Sequence, residues 1–97
     1  MKITHCAKVE DCFDGSAIYR YQFDTGWTRS MIHQLEALGR LEYFGDFPRP
    51  LFRVTTRAGL MLKGVEGDPA CRAIFPRDGQ DTVKAEFEGY FARPRFE

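Results

Sequence analysis

The chain has 97 residues, of which 43% are hydrophobic and 29% are charged, and its 14 basic residues balance its 14 acidic ones. This length is typical of one folded domain, and the composition is too apolar for a disordered chain. A net charge of zero argues against a dedicated nucleic-acid binder and against binding to an anionic membrane surface, because both depend on excess positive charge. We therefore predict a single domain over residues 1–97.

The N-terminal residues enter a strand-like alternation directly, without the apolar segment of a signal peptide. No run approaches the roughly 18 apolar residues that a membrane-spanning helix needs. We therefore expect a cytoplasmic protein in which Cys6, Cys12 and Cys71 are reduced. These cysteines and His5 lack the spacing of a zinc or iron–sulfur site, so we predict no metal and no cofactor.

Two strands begin the chain. Residues 2–9 alternate in polarity, as a half-buried strand does, and residues 17–23 alternate in the same way. Asp14 and Gly15 carry the turn chemistry that joins the two strands in a hairpin. The first strand is predicted to hold four residues on one side, namely Ile3, His5, Ala7 and Val9.

Helical spacing replaces this alternation in the next segment. The pattern predicts a helix over 26–38, with Asp24 or Thr25 accepting hydrogen bonds at its N-terminus. Gly39 would occupy the left-handed position just past the end. The stripe predicted to be buried consists of Trp27, Met31, Leu35 and Leu38.

Four strands and a second helix complete the chain. The strands are predicted at 41–44, 51–56, 60–65 and 70–75, joined by turns as an antiparallel meander. The helix is predicted at 80–92, with Asp78 or Asp81 at its start and Arg93 and Pro94 at its end. Its contribution to the core is predicted to be Val83, Phe87 and Phe91.

The resulting order, ββαββββα, predicts a two-layer α+β fold. An antiparallel sheet of about five to six strands would be covered by two helices, since each helix has one apolar stripe to bury. Several strand orders are compatible with this element order.

The richest segment for function is 43–57. Within 43–53 it holds four aromatic residues, two prolines and two arginines around a turn. Aromatic residues and arginine are enriched among the residues that dominate protein interfaces, so we interpret the segment as a hairpin that binds another protein. In the alternative interpretation, the aromatic residues pack into the core and the arginines pair with nearby carboxylates. The candidate binding residues are Tyr43, Phe44, Phe47, Arg49, Arg53 and Arg57.

We therefore predict a small non-catalytic binding or accessory module with no catalytic residues. Two other functions stay open: a small enzyme or cofactor-binding protein with a pocket between sheet and helices, and a single-stranded nucleic-acid binder. An enzyme would show a pocket with converging polar groups and a titratable residue of shifted pKa. A protein interface would show an exposed apolar patch, and a nucleic-acid binder would show a basic groove without compensating acids. The sequence leaves the oligomeric state open.

Overall fold

The computed structural model describes residues 1–92. They form a six-stranded antiparallel sheet and two α-helices in the order ββαββββα, which confirms the predicted α+β fold. The elements are β1 (Ile3–Asp11), β2 (Ala17–Phe23), α1 (Arg29–Gln34), β3 (Arg40–Phe44), β4 (Leu51–Thr55), β5 (Met61–Val65), β6 (Ala70–Phe75) and α2 (Gln80–Phe91). Within residues 1–92, no helix combines the length and apolar character that crossing a bilayer requires.

The strands lie in the order β1-β2-β6-β5-β4-β3, and every neighbouring pair is antiparallel. Strands β3 to β6 form a meander, and β6 then pairs with β2. The chain therefore crosses from β2 to the far edge of the sheet through α1. This order places strands that are distant in sequence beside one another in the middle of an open sheet.

Both helices pack against the same face of the sheet. From α2, the ring centroid of Phe87 lies 4.9 Å from that of Tyr21 and 5.9 Å from that of Phe75. From the α1 region, Ile32 and Leu35 are fully buried in the same cluster. Because strand side chains alternate between faces, the residues between these core positions point to the opposite face, here called the open face.

The first helix begins later than predicted. It starts at Arg29, and its cap is Thr28, whose Oγ1 accepts a hydrogen bond from the backbone N–H of Met31 at 3.1 Å. Neither Asp24 nor Thr25 caps it. The reason is tertiary: the N–H and C=O of Trp27 bond the turn between β5 and β6, at 3.1 and 2.7 Å, which holds this residue in the preceding loop.

The predicted apolar stripes are largely confirmed. Five of their seven core residues are buried, while Met31 and Leu38 are half-buried. The prediction missed Ile32, which is fully buried. The buried members are Trp27, Leu35, Val83, Phe87 and Phe91.

The caps predicted at the end of the first helix and at the start of the second helix both differ from those observed. Gly39 does not have a positive φ; instead, a Cβ at this position would lie 2.4 Å from the carbonyl oxygen of Thr55, so close backbone approach requires the glycine. Helix α2 is preceded by Gly79 in the left-handed conformation with φ 66°, and no side chain caps it. Asp81 lies in the first turn of α2, where its charge favours the helix dipole. The predicted Arg93 and Pro94 lie outside the described residues.

The predicted alternation of β1 is wrong. The register with β2 shifts between Ile3 and His5 and again between Lys8 and Glu10, so the strand does not keep one set of residues on one face. As a result, Ile3 and Cys6 are the half-buried residues of β1, whereas Val9 is 46% exposed.

Candidate functional site

A row of basic residues crosses the open face of the sheet. The strand register places Arg20 of β2 opposite Arg72 of β6, Arg72 opposite Lys63 of β5, and Lys63 opposite Arg53 of β4. These four residues, here called the cationic row, occupy directly opposed positions on neighbouring strands. At the β3 end, Glu42 is opposite Arg53 and terminates the row.

Only one end of the cationic row is neutralised. Arg53 donates from both Nε and Nη2 to Oε1 of Glu42, each at 2.8 Å. Arg20, Lys63 and Arg72 are exposed, and no carboxylate of residues 1–92 lies within 4.0 Å of their charged nitrogens. Like charges directly opposite each other destabilise a sheet, so this arrangement opposes folding at low salt.

An apolar row runs beside the cationic row. Each of its members lies two positions from Glu42, Arg53 or Lys63 on the same strand. It consists of Phe44, Leu51 and Val65, which are paired across β3, β4 and β5. The two rows together line a groove of about 460 Å³ that also includes Ala70 and Asp68. The Arg53 guanidinium lies 5.9 Å from the centroid of the Phe44 ring, which connects the two rows at this end.

The turn between β3 and β4 stands at the end of this groove. It follows Phe44 directly, and Phe47 within it is 53% exposed, while Phe44 is 40% exposed. Arg49 is also exposed, and its Nη2 lies 3.9 Å from the position that a Cβ on Gly67 would take. The carbonyl of Pro50 accepts a hydrogen bond at 2.8 Å from the backbone N–H of Glu66, in the turn between β5 and β6. The turn is thus fastened to its neighbour while its aromatic side chains stay accessible.

The structure brings together four of the six candidate residues predicted from sequence. Phe44 and Arg53 line the groove, and Phe47 and Arg49 lie in the adjacent turn. The remaining two, Tyr43 and Arg57, lie elsewhere.

Tyr43 points to the helix-covered side of the sheet, opposite buried Phe52. Its hydroxyl donates to Oε1 of Glu66 at 2.7 Å, and its ring lies 5.3 Å from that of His33. The hydrogen bond to Glu66, assisted by burial, raises the pKa of Tyr43. Arg57 lies in the turn between β4 and β5, at the opposite end of β4 from Phe47. Neither residue lines the groove.

Three residues of the cationic row escaped the sequence analysis, namely Arg20, Lys63 and Arg72. Each stands on the polar side of its own strand, which is the ordinary place for a solvated base. The only signal in the sequence was that β2, β4, β5 and β6 each carry a basic residue at such a position. That signal becomes a row only when the strand order and register are known.

A second cavity lies between sheet and helix, where the enzyme alternative would place a pocket. It measures about 470 Å³ and is lined by residues of β1 and of the end of α2, including Cys6 and Glu88. Glu88 accepts hydrogen bonds from Tyr21 at 2.6 Å and from Lys84 at 2.7 Å. Burial opposes the ionisation of Glu88, but these two hydrogen bonds outweigh it and hold the pKa below the ordinary value of 4.5.

Burial, with the bond to Glu88, raises the pKa of Tyr21. Tyr21 and Glu88, whose pKa values are both shifted, are therefore bonded to each other and fasten α2 to β2, which is a structural role. For residues 1–92, no three Cys, His, Asp or Glu side chains lie close enough together to hold a metal ion.

Comparisons with family models, with curated proteins and with solved structures give no match for this chain. The candidate site is therefore defined by its geometry alone.

Proposed function

We propose that this chain is a non-catalytic binding module that holds single-stranded nucleic acid across the open face of its sheet. The observation that carries the proposal is the cationic row, in which three exposed cations occupy opposed positions and pair with no carboxylate of residues 1–92. The three free cysteines fit a reducing compartment, and we place the module in the cytoplasm.

The row suits a linear polyanion. Neighbouring strands are about 4.8 Å apart, so four cations on four consecutive strands extend over roughly 14 Å. An extended chain of phosphates can therefore run across the strands and meet several cations in succession. A compact anion would neutralise one or two of them and leave the others opposed.

The apolar row supplies the second half of the recognition. Proteins bind single strands by combining a positive groove for the backbone with apolar and aromatic surface for the bases. Here Phe44, Leu51 and Val65 lie directly beside the cations in the same groove. The zero net charge of the chain is compatible with this arrangement, because binding depends on the local field, and within residues 1–92 no carboxylate pairs with Arg20, Lys63 or Arg72.

Binding can be measured by fluorescence anisotropy with a labelled 12-nucleotide single strand. Each neutralised phosphate contributes a slope of about −0.7 to a plot of log K against log salt. Three or four contacts predict a slope of about −2 to −3, so affinity should fall about 20- to 50-fold between 50 and 200 mM NaCl. Arg20→Gln and Arg72→Gln should each weaken binding and reduce the steepness of the slope by about 0.7.

The matched control is Arg77→Gln, which removes the same charge from an exposed residue of the loop before α2. It should bind as the wild type does. The absence of binding at 50 mM NaCl, or equal losses for Arg77→Gln and Arg72→Gln, would reject the proposal. Displacement of the oligonucleotide by an equal concentration of polyglutamate would instead point to an acidic protein as the partner.

A second candidate function is protein binding through the turn between β3 and β4. The exposure of Phe47 and Phe44, at 53% and 40%, favours it. Pro48 and Pro50 restrict the backbone on either side of Arg49, so the turn loses less entropy on binding. The double variant Phe47→Ala/Arg49→Ala should keep its free energy of unfolding within about 1 kcal/mol and lose capture of a protein from cell extract. Retained capture by this variant would exclude the turn as the interface.

A further inference from the structure

We infer that the bound strand has one orientation, with its phosphates on the cationic row, its bases on the apolar row, and one base stacked on Phe44. This inference rests on the proposed function and specifies how the same groove orients the bound strand. Three observations carry it: the groove is one-sided, its two rows have the spacing of a nucleotide, and a carboxylate lies on the base side.

The groove is one-sided because the cationic row has different neighbours along the strands. On one side lie Phe44, Leu51 and Val65, and all three line the groove. On the other side lie Ile74 and Met61, which are paired with each other but do not line it. A separate cavity of about 870 Å³ adjoins Arg53 and Met61 on this other side, and its lining also includes the polar residues Glu36, Arg40, Glu42 and Thr55. The apolar edge of the groove therefore lies toward the turns that follow β3 and β5.

The spacing of the two rows matches the architecture of a nucleotide. Arg53 and Leu51 are two residues apart on β4, and Lys63 and Val65 are two residues apart on β5. Two residues of a strand span about 6.8 Å, which is close to the reach of a nucleotide from its phosphate to its base. A strand whose backbone follows the cations therefore places its bases over the apolar row.

The carboxylate of Asp68 favours this direction, because Glu42, the carboxylate at the end of the cationic row, is already paired with Arg53. It lines the groove at the end that carries the turns, and its Oδ1 accepts a hydrogen bond from the N–H of Ala70 at 2.9 Å. A phosphate near this group would be repelled, whereas the N–H groups of a base would find an acceptor. The backbone thus lies away from Asp68, on the side of Arg72 and Lys63.

Phe44 is the exposed aromatic residue of this groove. Its ring is 40% exposed, and the neighbouring Arg53, 5.9 Å from the ring centroid, steadies it from one side. An exposed ring beside an arginine is the kind of surface on which a base stacks. The base that lies above β3 is then held by stacking rather than by charge.

The test separates stacking from charge through the salt dependence. Phe44→Leu keeps the apolar volume and removes the ring, so affinity for the labelled 12-nucleotide strand should fall about 5- to 150-fold, the range for loss of one stacked base. The slope against log salt should stay unchanged, because no phosphate contact is lost. Phe44→Tyr keeps a ring and should restore wild-type affinity.

Phe13→Leu is the matched control, since Phe13 is fully exposed in the turn between β1 and β2, away from the groove. It should bind as the wild type does. For a 12-nucleotide strand made of abasic sugar phosphates, wild type and Phe44→Leu should bind equally, because the ring then has no base to contact.

The outcomes distinguish the inference from the function on which it rests. A wild type that fails to bind, or that binds without salt dependence, overturns both. A wild type that binds with the expected slope while Phe44→Leu binds as tightly overturns the inference alone. A shallower slope for Phe44→Leu also overturns it, since the ring would then be positioning a phosphate contact. Thermal melts of Phe44→Leu and Phe44→Tyr confirm that both are folded at the temperature of the assay.

Discussion

Replacing Arg72 by glutamine should make the unliganded protein more stable while weakening its binding. Arg72 stands in the middle of the cationic row, directly opposite Arg20 on one side and Lys63 on the other. Each opposed like-charge pair destabilises a sheet by a few tenths of a kcal/mol up to about 1 kcal/mol. Removing the central charge relieves two such pairs, and because all three side chains are exposed we expect a gain of about 0.4–1 kcal/mol.

The gain should depend on salt and on the sign of the new charge. The Debye length falls from about 10 Å at 0.1 M salt to about 3 Å at 1 M, so the difference between wild type and Arg72→Gln should disappear at 1 M NaCl. Arg72→Glu should stabilise more than Arg72→Gln at low salt, because it converts both pairs to opposite charges. Urea unfolding at 20 mM and 1 M NaCl, with a shared slope for all variants, measures these differences.

Arg77→Gln again serves as the control, since it removes an exposed charge that pairs only weakly with Asp78 at 3.4 Å. Its free energy of unfolding should stay within about 0.5 kcal/mol of the wild type. If Arg72→Gln is less stable than the wild type at 20 mM NaCl, repulsion within the row does not govern its stability. A stability difference that is independent of salt would equally exclude repulsion as the cause.

Three further outcomes follow from the core and from the helix contacts. Phe87→Ala removes a ring that is 2% exposed and should lower the free energy of unfolding by about 3–5 kcal/mol, measured by urea denaturation. Gly64→Ala should destabilise by about 1–3 kcal/mol, because the new Cβ would lie 2.4 Å from the buried ring of Phe52; an unchanged melting temperature would contradict this. The lowered pKa of Glu88 means that its ionised form stabilises the fold above the ordinary value of 4.5, and this contribution is lost as pH falls through the lowered pKa. Glu88→Gln should therefore lose most stability relative to wild type at pH 6–7, and the difference should shrink at pH 3.

Local patterns along the chain were enough to locate the strands, the two helices and most of the core. Alternation of apolar residues located the strands, and helical spacing identified Leu35 and Phe87 as buried positions, because each pattern depends only on neighbours along the chain. The turn after Phe44 was also recognisable, since prolines and aromatic residues around a glycine are a local feature. Where local patterns failed, at the start of α1 and along β1, the cause was a contact with a distant segment.

Which residues form the candidate site depends on strand order and register. Alternation along each strand is compatible with Arg20, Arg53, Lys63 and Arg72 on the polar sides of four strands, but it cannot show that the four sides form one surface. That depends on β6 pairing with both β2 and β5, which joins residues separated by some 50 positions in the chain. Strand order and register arise from packing the whole sheet against two helices. The cationic row is therefore a property of the assembled sheet, and no single strand carries it.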